Sequence, residues 1–396
     1  MDFLKKALSR RNLLRGGIIG GATAASAALL ANATRAQQTV ESMAQAGMTG
    51  MADAQHATMT ATNHAGHGAN MAMGSVNPAT NGFDPMQMLV DWDYGKVSKQ
   101  NGQTLREYEF VAIDKEIEIA PGIMFPAWTY NGRVPGPSIR CTEGDRLRIV
   151  FKNEGSHPHT IHFHGIHPSE MDGTPLNQPL VKPGEQFVYE FIADPYGCHK
   201  YHCHSVSLKR HIHKGMYGAF IVDPKGGRPP AREFMMVMNA FDTNFDGGNE
   251  VYAVNTVGFE FANRPIPIKL GELVRIYLIN MLEFDLVNSF HLHGNMFDYY
   301  DHGTTLMPTL RRVDTISQMQ GQRGILEFKY KYPGQFMFHP HVSEFTELGW
   351  MGHFNVVKPE EYAAAVQKIG MDAAWDKAGL SGSTVEYNPS KNRVDE

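Results

Sequence analysis

Gly144-Asp-Arg-Leu-Arg-Ile-Val-Phe-Lys-Asn153 has a counterpart of equal length further along the chain, Gly271-Glu-Leu-Val-Arg-Ile-Tyr-Leu-Ile-Asn280. Each opens on a turn glycine and then alternates in the manner of a half-buried strand. The correspondence continues outward. A His-x-His-Gly stretch follows each, ending at Gly165 and at Gly294, and Tyr201-His-Cys-His204 is answered by Phe338-His-Pro-His341. Each of the latter begins its histidines five residues after a glycine, Gly197 or Gly334. A chain that repeats itself at this length carries two copies of one β-domain. With 396 residues and short strands punctuated by 39 Gly and 22 Pro, the expectation is an all-β protein of two β-sandwich domains, each large enough to bury a core. The formal charge of −5 gives no electrostatic footprint for nucleic acid.

The repeats carry four His-x-His pairs: His162/His164, His202/His204, His291/His293 and His339/His341. On a strand, residues two apart project from one face, so each pair presents two imidazoles roughly 6 to 7 Å apart at Cβ. Neighbouring metal ions could share such a platform. The residue between His202 and His204 is Cys203, whose thiol points to the opposite face, so one strand can touch two metal centres. A single His-x-His pair is an ordinary polar strand face, but four of them around a cysteine are not.

His159 precedes His162 by an odd offset and therefore shares the face of Cys203. His211 and Met216 follow the cysteine by eight and thirteen residues. Two histidines, a thiolate and a thioether form the donor set of a blue-copper electron-transfer site, in which the weak axial Met tunes the potential. His213 is the competing histidine, ranked second. Zinc would explain neither the thioether nor eight further imidazoles. In the second copy Asn288 stands in place of His159, Pro340 in place of Cys203, and Trp350 near the place of Met216, so the blue set is expected only in the first.

On these motifs the chain, over about residues 105 to 357, resembles a two-domain, laccase-like multicopper oxidase, and it is similar in layout to copper nitrite reductases. The resemblance implies cupredoxin-like Greek-key domains and four coppers per chain. It places type 1 copper at His159, Cys203, His211 and Met216, and type 2 copper at His162 and His291. The type 3 pair falls to His164, His202, His204, His293, His339 and His341. The implied reaction couples one-electron oxidation of a phenol, Cu(I), another metal ion or a protein donor to four-electron reduction of O2 to water. It further implies a homotrimer, with the trinuclear cluster built between subunits. Asp172, in Met171-Asp-Gly173, resembles the family's proton-relay aspartate, although Asp before Gly is also a turn signal; Glu344 is a second candidate acid. A nitrite reductase of this layout would carry its catalytic Asp where this chain has His162 and would lack His204. A periplasmic copper-binding or electron-carrier protein is the non-enzymatic alternative.

The expected domain plan begins with a twin-arginine signal peptide over residues 1–36, carrying Arg10 and Arg11 ahead of an apolar run, which implies export to the periplasm without stable membrane insertion. Residues 37–88 read as a disordered linker rich in Met and His, with recruitment of Cu(I) as the sharper alternative. The two β-domains are expected at 89–225 and 226–358, and a tail at 359–396 contains an Ala-rich stretch of helical composition from Glu360 to Leu380. Once Cys203 is assigned to copper, Cys141 and Cys198 remain, either paired as a disulfide or free.

Overall fold

A computed structural model describes residues 74–380, 382 and 384–392. The signal stretch 1–36 and the Met/His segment as far as residue 73 lie outside the described residues. In the first half the strands are β1 (Trp92–Asp93), β2 (Lys96–Gln100), β3 (Gln103–Ala120), β4 (Ile123–Tyr130), β5 (Ser138–Thr142), β6 (Arg146–Asn153), β7 (His162–Phe163), β8 (Gln186–Ile192), β9 (Gly197–His202) and β10 (Tyr217–Asp223). The second half continues with β11 (Arg232–Phe241), β12 (Val251–Val254), β13 (Ile266–Lys269), β14 (Val274–Asn280), β15 (Val287–Leu292), β16 (Phe297–Asp301), β17 (Leu310–Val313), β18 (Thr315–Met319), β19 (Arg323–Phe328), β20 (Gly334–His339) and β21 (Gly352–Val357).

Each half is a pair of sheets. The first half stacks β2-β3-β6-β8, with β4 on β3, against β1-β5-β10-β9-β7; the second stacks β12-β11-β14-β19-β16-β17 against β13-β21-β20-β15-β18. The quoted repeat becomes β6 and β14, each held by a parallel neighbour on one side and an antiparallel one on the other. Strands adjacent in space are distant in sequence, β5 beside β10 and β13 beside β21, as Greek-key crossovers require.

The two copies differ in burial. Along β6, alternate residues are buried as the sequence predicts, whereas every residue of β14 is buried. Ile276 and Leu278 face the core of the second half, and Tyr277 and Ile279 face a second apolar layer shared with Trp92, Phe125, Cys198 and Ile221 of the first half. A strand that faces solvent in one copy thus faces the other copy in its repeat. Beside this layer Arg140 bonds Asp223 at 2.9 Å and Glu233 at 2.8 Å, while Arg275 bonds Glu233 at 2.7 Å and Glu327 at 2.6 Å. Each charge in this buried network has partners, as burial demands.

Three features depart from the sequence expectation or resolve it. Residues 74–88, assigned above to the linker, form two short helices, Pro78–Asn81 and Pro85–Met88. Asn77 and Asp84 cap them, Met86 and Met88 are buried, and the indole N–H of Trp375 donates to the Met86 carbonyl. Cys141 and Cys198 are free and buried. Opposite them on β10 stand Val222 and Ile221 respectively, so the two thiols point to opposite faces of the sheet. The tail stretch is two helices, Tyr362–Lys368 and Ala373–Leu380, whose Tyr362, Val366 and Trp375 complete the second core. Among the described residues no helix is long and apolar enough to cross a membrane.

Candidate metal centres

The first centre forms where β9 runs into the helix Leu208–His213. Cys203 Sγ lies 3.1 Å from His211 Nδ1 and 3.8 Å from His159 Nδ1, and the two nitrogens are 3.1 Å apart. A first-row metal bonded at about 2.0 to 2.3 Å to three donors in a plane needs edges of roughly 3.5 to 4 Å, so the triangle opens only slightly to receive one. A His2Cys donor set suits copper. Met216 is fully buried, and its carbonyl accepts the Cys203 N–H. The Thr160 N–H donates to the sulfur at 3.4 Å. Burial, together with the neighbouring imidazoles, lowers His159 to about 3, and burial lowers His211 to about 4, so both are neutral near pH 7. The Cys203 thiol is pushed up by burial to about 11, so a bound metal must displace its proton. His213 turns away: its Nε2 accepts the Asp242 N–H, and its ring meets Phe284 at 5.0 Å.

Across the strand from this triangle sits a quartet. His162 and His202 are opposite each other on β7 and β9, and His164 and His202 bring their Nε2 atoms to 2.9 Å. The His204 ring completes the group 5.4 Å from that of His162. His162 Nδ1 donates to the Asp172 carbonyl at 2.7 Å, and His202 Nδ1 donates to the Cys203 carbonyl at 2.9 Å. A carbonyl only accepts, so these bonds fix the N–H on Nδ1 and leave the Nε2 lone pairs to converge. Burial, with added repulsion from neighbouring cations and imidazoles, lowers His164 and His202, the latter to about 3. Beside the quartet a cavity of about 290 Å³ also admits Lys200 and Glu283.

The second half repeats the quartet without the triangle. His291 pairs with His339 across β15 and β20, and His293 and His339 bring their Nε2 atoms to 3.0 Å. His341 lies 4.7 Å from His291 between ring centres. His291 Nδ1 donates to the Asp314 carbonyl and His339 Nδ1 to the Pro340 carbonyl, the same orienting device. His293 and His341 are exposed. Among the described residues no ring contact joins this quartet to the first. The register shows why the triangle is missing. Tyr201 pairs with Gly218 and Phe338 with Gly352, so Trp350 occupies the place of Met216. Its N–H bonds the Phe345 carbonyl as that of Met216 bonds the His211 carbonyl, so Phe345 stands for the histidine. Phe345 and Trp350 are both buried and fill the space.

Of the two candidate acids, Asp172 lies at the first quartet, with Oδ1 3.2 Å from His162 Nδ1 and 3.5 Å from His167 Nε2. Burial works to raise its pKa, but hydrogen bonds from Thr174 and Asn177, with the two imidazoles, outweigh it and hold the carboxyl below the usual range. Glu344 is exposed in the first turn of the helix Ser343–Glu347, and no described contact links its carboxylate to the second quartet. Sequence reasoning missed His167, Thr160 and Trp128. The Trp128 ring lies 4.9 Å from His211 and 5.5 Å from His159. Thr160 could have been found from the repeat, because its Oγ1 accepts the His204 N–H as Ser289 Oγ accepts that of His341. Trp128 has no counterpart signal.

A sandwich pair with one His2Cys triangle and two His quartets defines a class of copper redox protein. The chain belongs to the multicopper oxidase family: two multicopper oxidase family models match it, over residues 114–227 and 228–360. The family binds copper and carries out oxidoreduction. A solved multicopper oxidase superposes with a TM-score of 0.70 at 56% identity, covering 72% of this chain and 100% of that one. The blue copper oxidase of Nitrosomonas europaea follows at a TM-score of 0.58 and 27% identity, covering 74% of this chain and 95% of its own. The copper-containing nitrite reductase of Neisseria gonorrhoeae is 30% identical over 293 residues, 68% of this chain and 73% of that protein.

Proposed function

We propose that this protein is a laccase-like oxidase that couples one-electron oxidation of a small reducing substrate or protein donor to four-electron reduction of O2 to water. Four coppers per chain are assigned: type 1 at His159, Cys203, His211 and Met216, type 2 at His162 and His291, and the type 3 pair at His164, His202, His204, His293, His339 and His341. The observation that carries this reading is the presence of two complete quartets, in each of which two histidines, His162 and His202 or His291 and His339, have their Nε2 atoms left free by Nδ1 bonds to carbonyls. Bound copper supplies the one-electron redox steps. The protein's own residues supply the rest. Cys203 is bonded through the backbone to His202 and His204, so one strand end joins triangle and quartet. Asp172, ionised and within reach of His162 and His167, accepts and hands on protons there.

The open second quartet, with His293 and His341 exposed, supports a closed homotrimer in which the first quartet of one subunit meets the second of the next. The twin-arginine pattern supports export to the periplasm. Nitrite reduction is the second reading, favoured by the 30% identity to the Neisseria gonorrhoeae enzyme. It is weakened by His162, which stands where the resemblance would place an Asp. Copper analysis with EPR, run beside oxygen uptake and nitrite turnover, separates the two. About four coppers per chain with oxygen consumption is expected on the family's donor chemistry. About two coppers per chain with nitrite reduction would replace this reading.

A further inference from the structure

A cavity of about 720 Å³, within the range of small-molecule sites, opens between the helix Leu208–His213 and the loop that follows β11. None of the residues of the triangle or the quartets lines it. The helix explains this: it turns His211 inward to Cys203 and gives Lys209, Arg210 and His213 to the cavity. The opposite wall is aromatic. Phe245 is 55% exposed, an apolar surface that the described chain leaves uncovered, and Phe284 stands beside it. Cations gather over these rings, with Lys209 Nζ 4.2 Å from the centre of Phe284 and Lys214 Nζ 4.9 Å from that of Phe245.

Two carboxylates also reach the cavity, but one is committed. Asp242 accepts the Asp246 N–H on one oxygen and the Gly247 N–H on the other, leaving Asp246 as the exposed anion against three cations. His213, with Nε2 accepting the Asp242 N–H, presents an N–H at Nδ1. Apolar ring faces bordered by Lys209, Arg210 and Lys214 suit a ligand with a flat apolar body and a negative end.

We propose that this cavity binds a small aromatic anion, a one- or two-ring body carrying a carboxylate or sulfonate. The site is one aromatic layer from the triangle: the Arg210 guanidinium lies 5.0 Å from the Trp128 ring, which lies 4.9 Å from His211. Its use as an electron-donor site rests on the proposed oxidase reading; the binding does not.

The test is equilibrium dialysis of the full-length protein, in its copper-loaded and copper-free forms, against three redox-inert probes: naphthalenesulfonate, naphthalenemethanol and naphthylmethylammonium. The sulfonate is expected to bind about tenfold more tightly than the alcohol, and the ammonium most weakly. Lys209→Glu is expected to weaken sulfonate binding about tenfold and alcohol binding less than about twofold. Asp246→Asn keeps the acceptor for the Gly248 N–H, removes a charge and is expected to tighten sulfonate binding about two- to threefold, a gain that misfolding cannot imitate. Equal binding of the three probes, preference for the ammonium, or indifference to both substitutions would overturn the site. Oxygen uptake measured in parallel separates the claims: sulfonate binding without oxygen turnover keeps this site and removes the oxidase, and the reverse outcome removes only the site.

Discussion

Thr160 and Ser289 hold equivalent places in the two halves, and each hydroxyl accepts the N–H of a histidine that closes a quartet. Next to Thr160 is a thiol; in the second half Pro340 stands in the place of that cysteine. The difference between the halves is thus a matter of single side chains on a shared backbone. Protonation belongs to this scale as well. His159, His202 and His211 charge in the fold only near pH 3 to 4, because burial opposes the cation, whereas in the unfolded chain they charge near the ordinary 6.5. Between those values the unfolded chain binds more protons. The copper-free protein is therefore expected to hold this contribution above about pH 6.5 and lose it as the pH falls toward about 3. A urea midpoint equal at about pH 7 and about pH 5 would contradict this. Asp172→Asn keeps the carbonyl that orients His162 and removes only the charge beside it. Copper content is expected to stay the same while oxygen turnover drops about ten- to a hundredfold. Wild-type turnover would end the relay role.

Strands carry the next level of explanation. β9 delivers His202, and its position is set by Tyr201, whose hydroxyl donates to the Pro137 carbonyl at 2.7 Å across the space left by Gly218. A Cβ at Gly218 would stand 2.1 Å from the Tyr201 oxygen. Gly218→Ala is expected to cost about 1 to 3 kcal/mol and to lower copper occupancy by displacing β9. A variant with wild-type melting temperature and copper content would show that β9 has room. Strand identity and parity were legible at this scale because alternation is a local property. His159 shares a face with Cys203, and the pairs His162/His164 and His291/His293 face the other way, as an odd or even offset requires. The burial of β14 was not legible, because the residues that cover its outer face come from the other half of the chain.

At the scale of the whole molecule the halves are joined by apolar packing and by Arg140, which holds Asp223 of the first half and Glu233 of the second. Arg140→Met strands two buried carboxylates, although Thr384 still bonds Asp223 and Arg275 still bonds Glu233. A loss of about 3 kcal/mol is expected in denaturant unfolding. A loss below about 1 kcal/mol would mean that the remaining partners suffice. The proposed trimer makes a sharper forecast. Co-expression of His164→Ala and His293→Ala chains, each inactive alone, is expected to restore about a quarter of wild-type oxygen turnover, since only mixed rings contain one intact pair of quartets. No recovery would place both quartets of one site in one chain. The sequence by itself determined the strands, the duplication and the identity of the imidazoles, because spacing along a strand fixes which side chains share a face. Only the tertiary structure decided which residues meet. It turned Cys141 and Cys198 to opposite faces, chose His211 over His213 for the thiol, and set Trp128 against the triangle, since each of these depends on strands and loops brought together from distant parts of the chain.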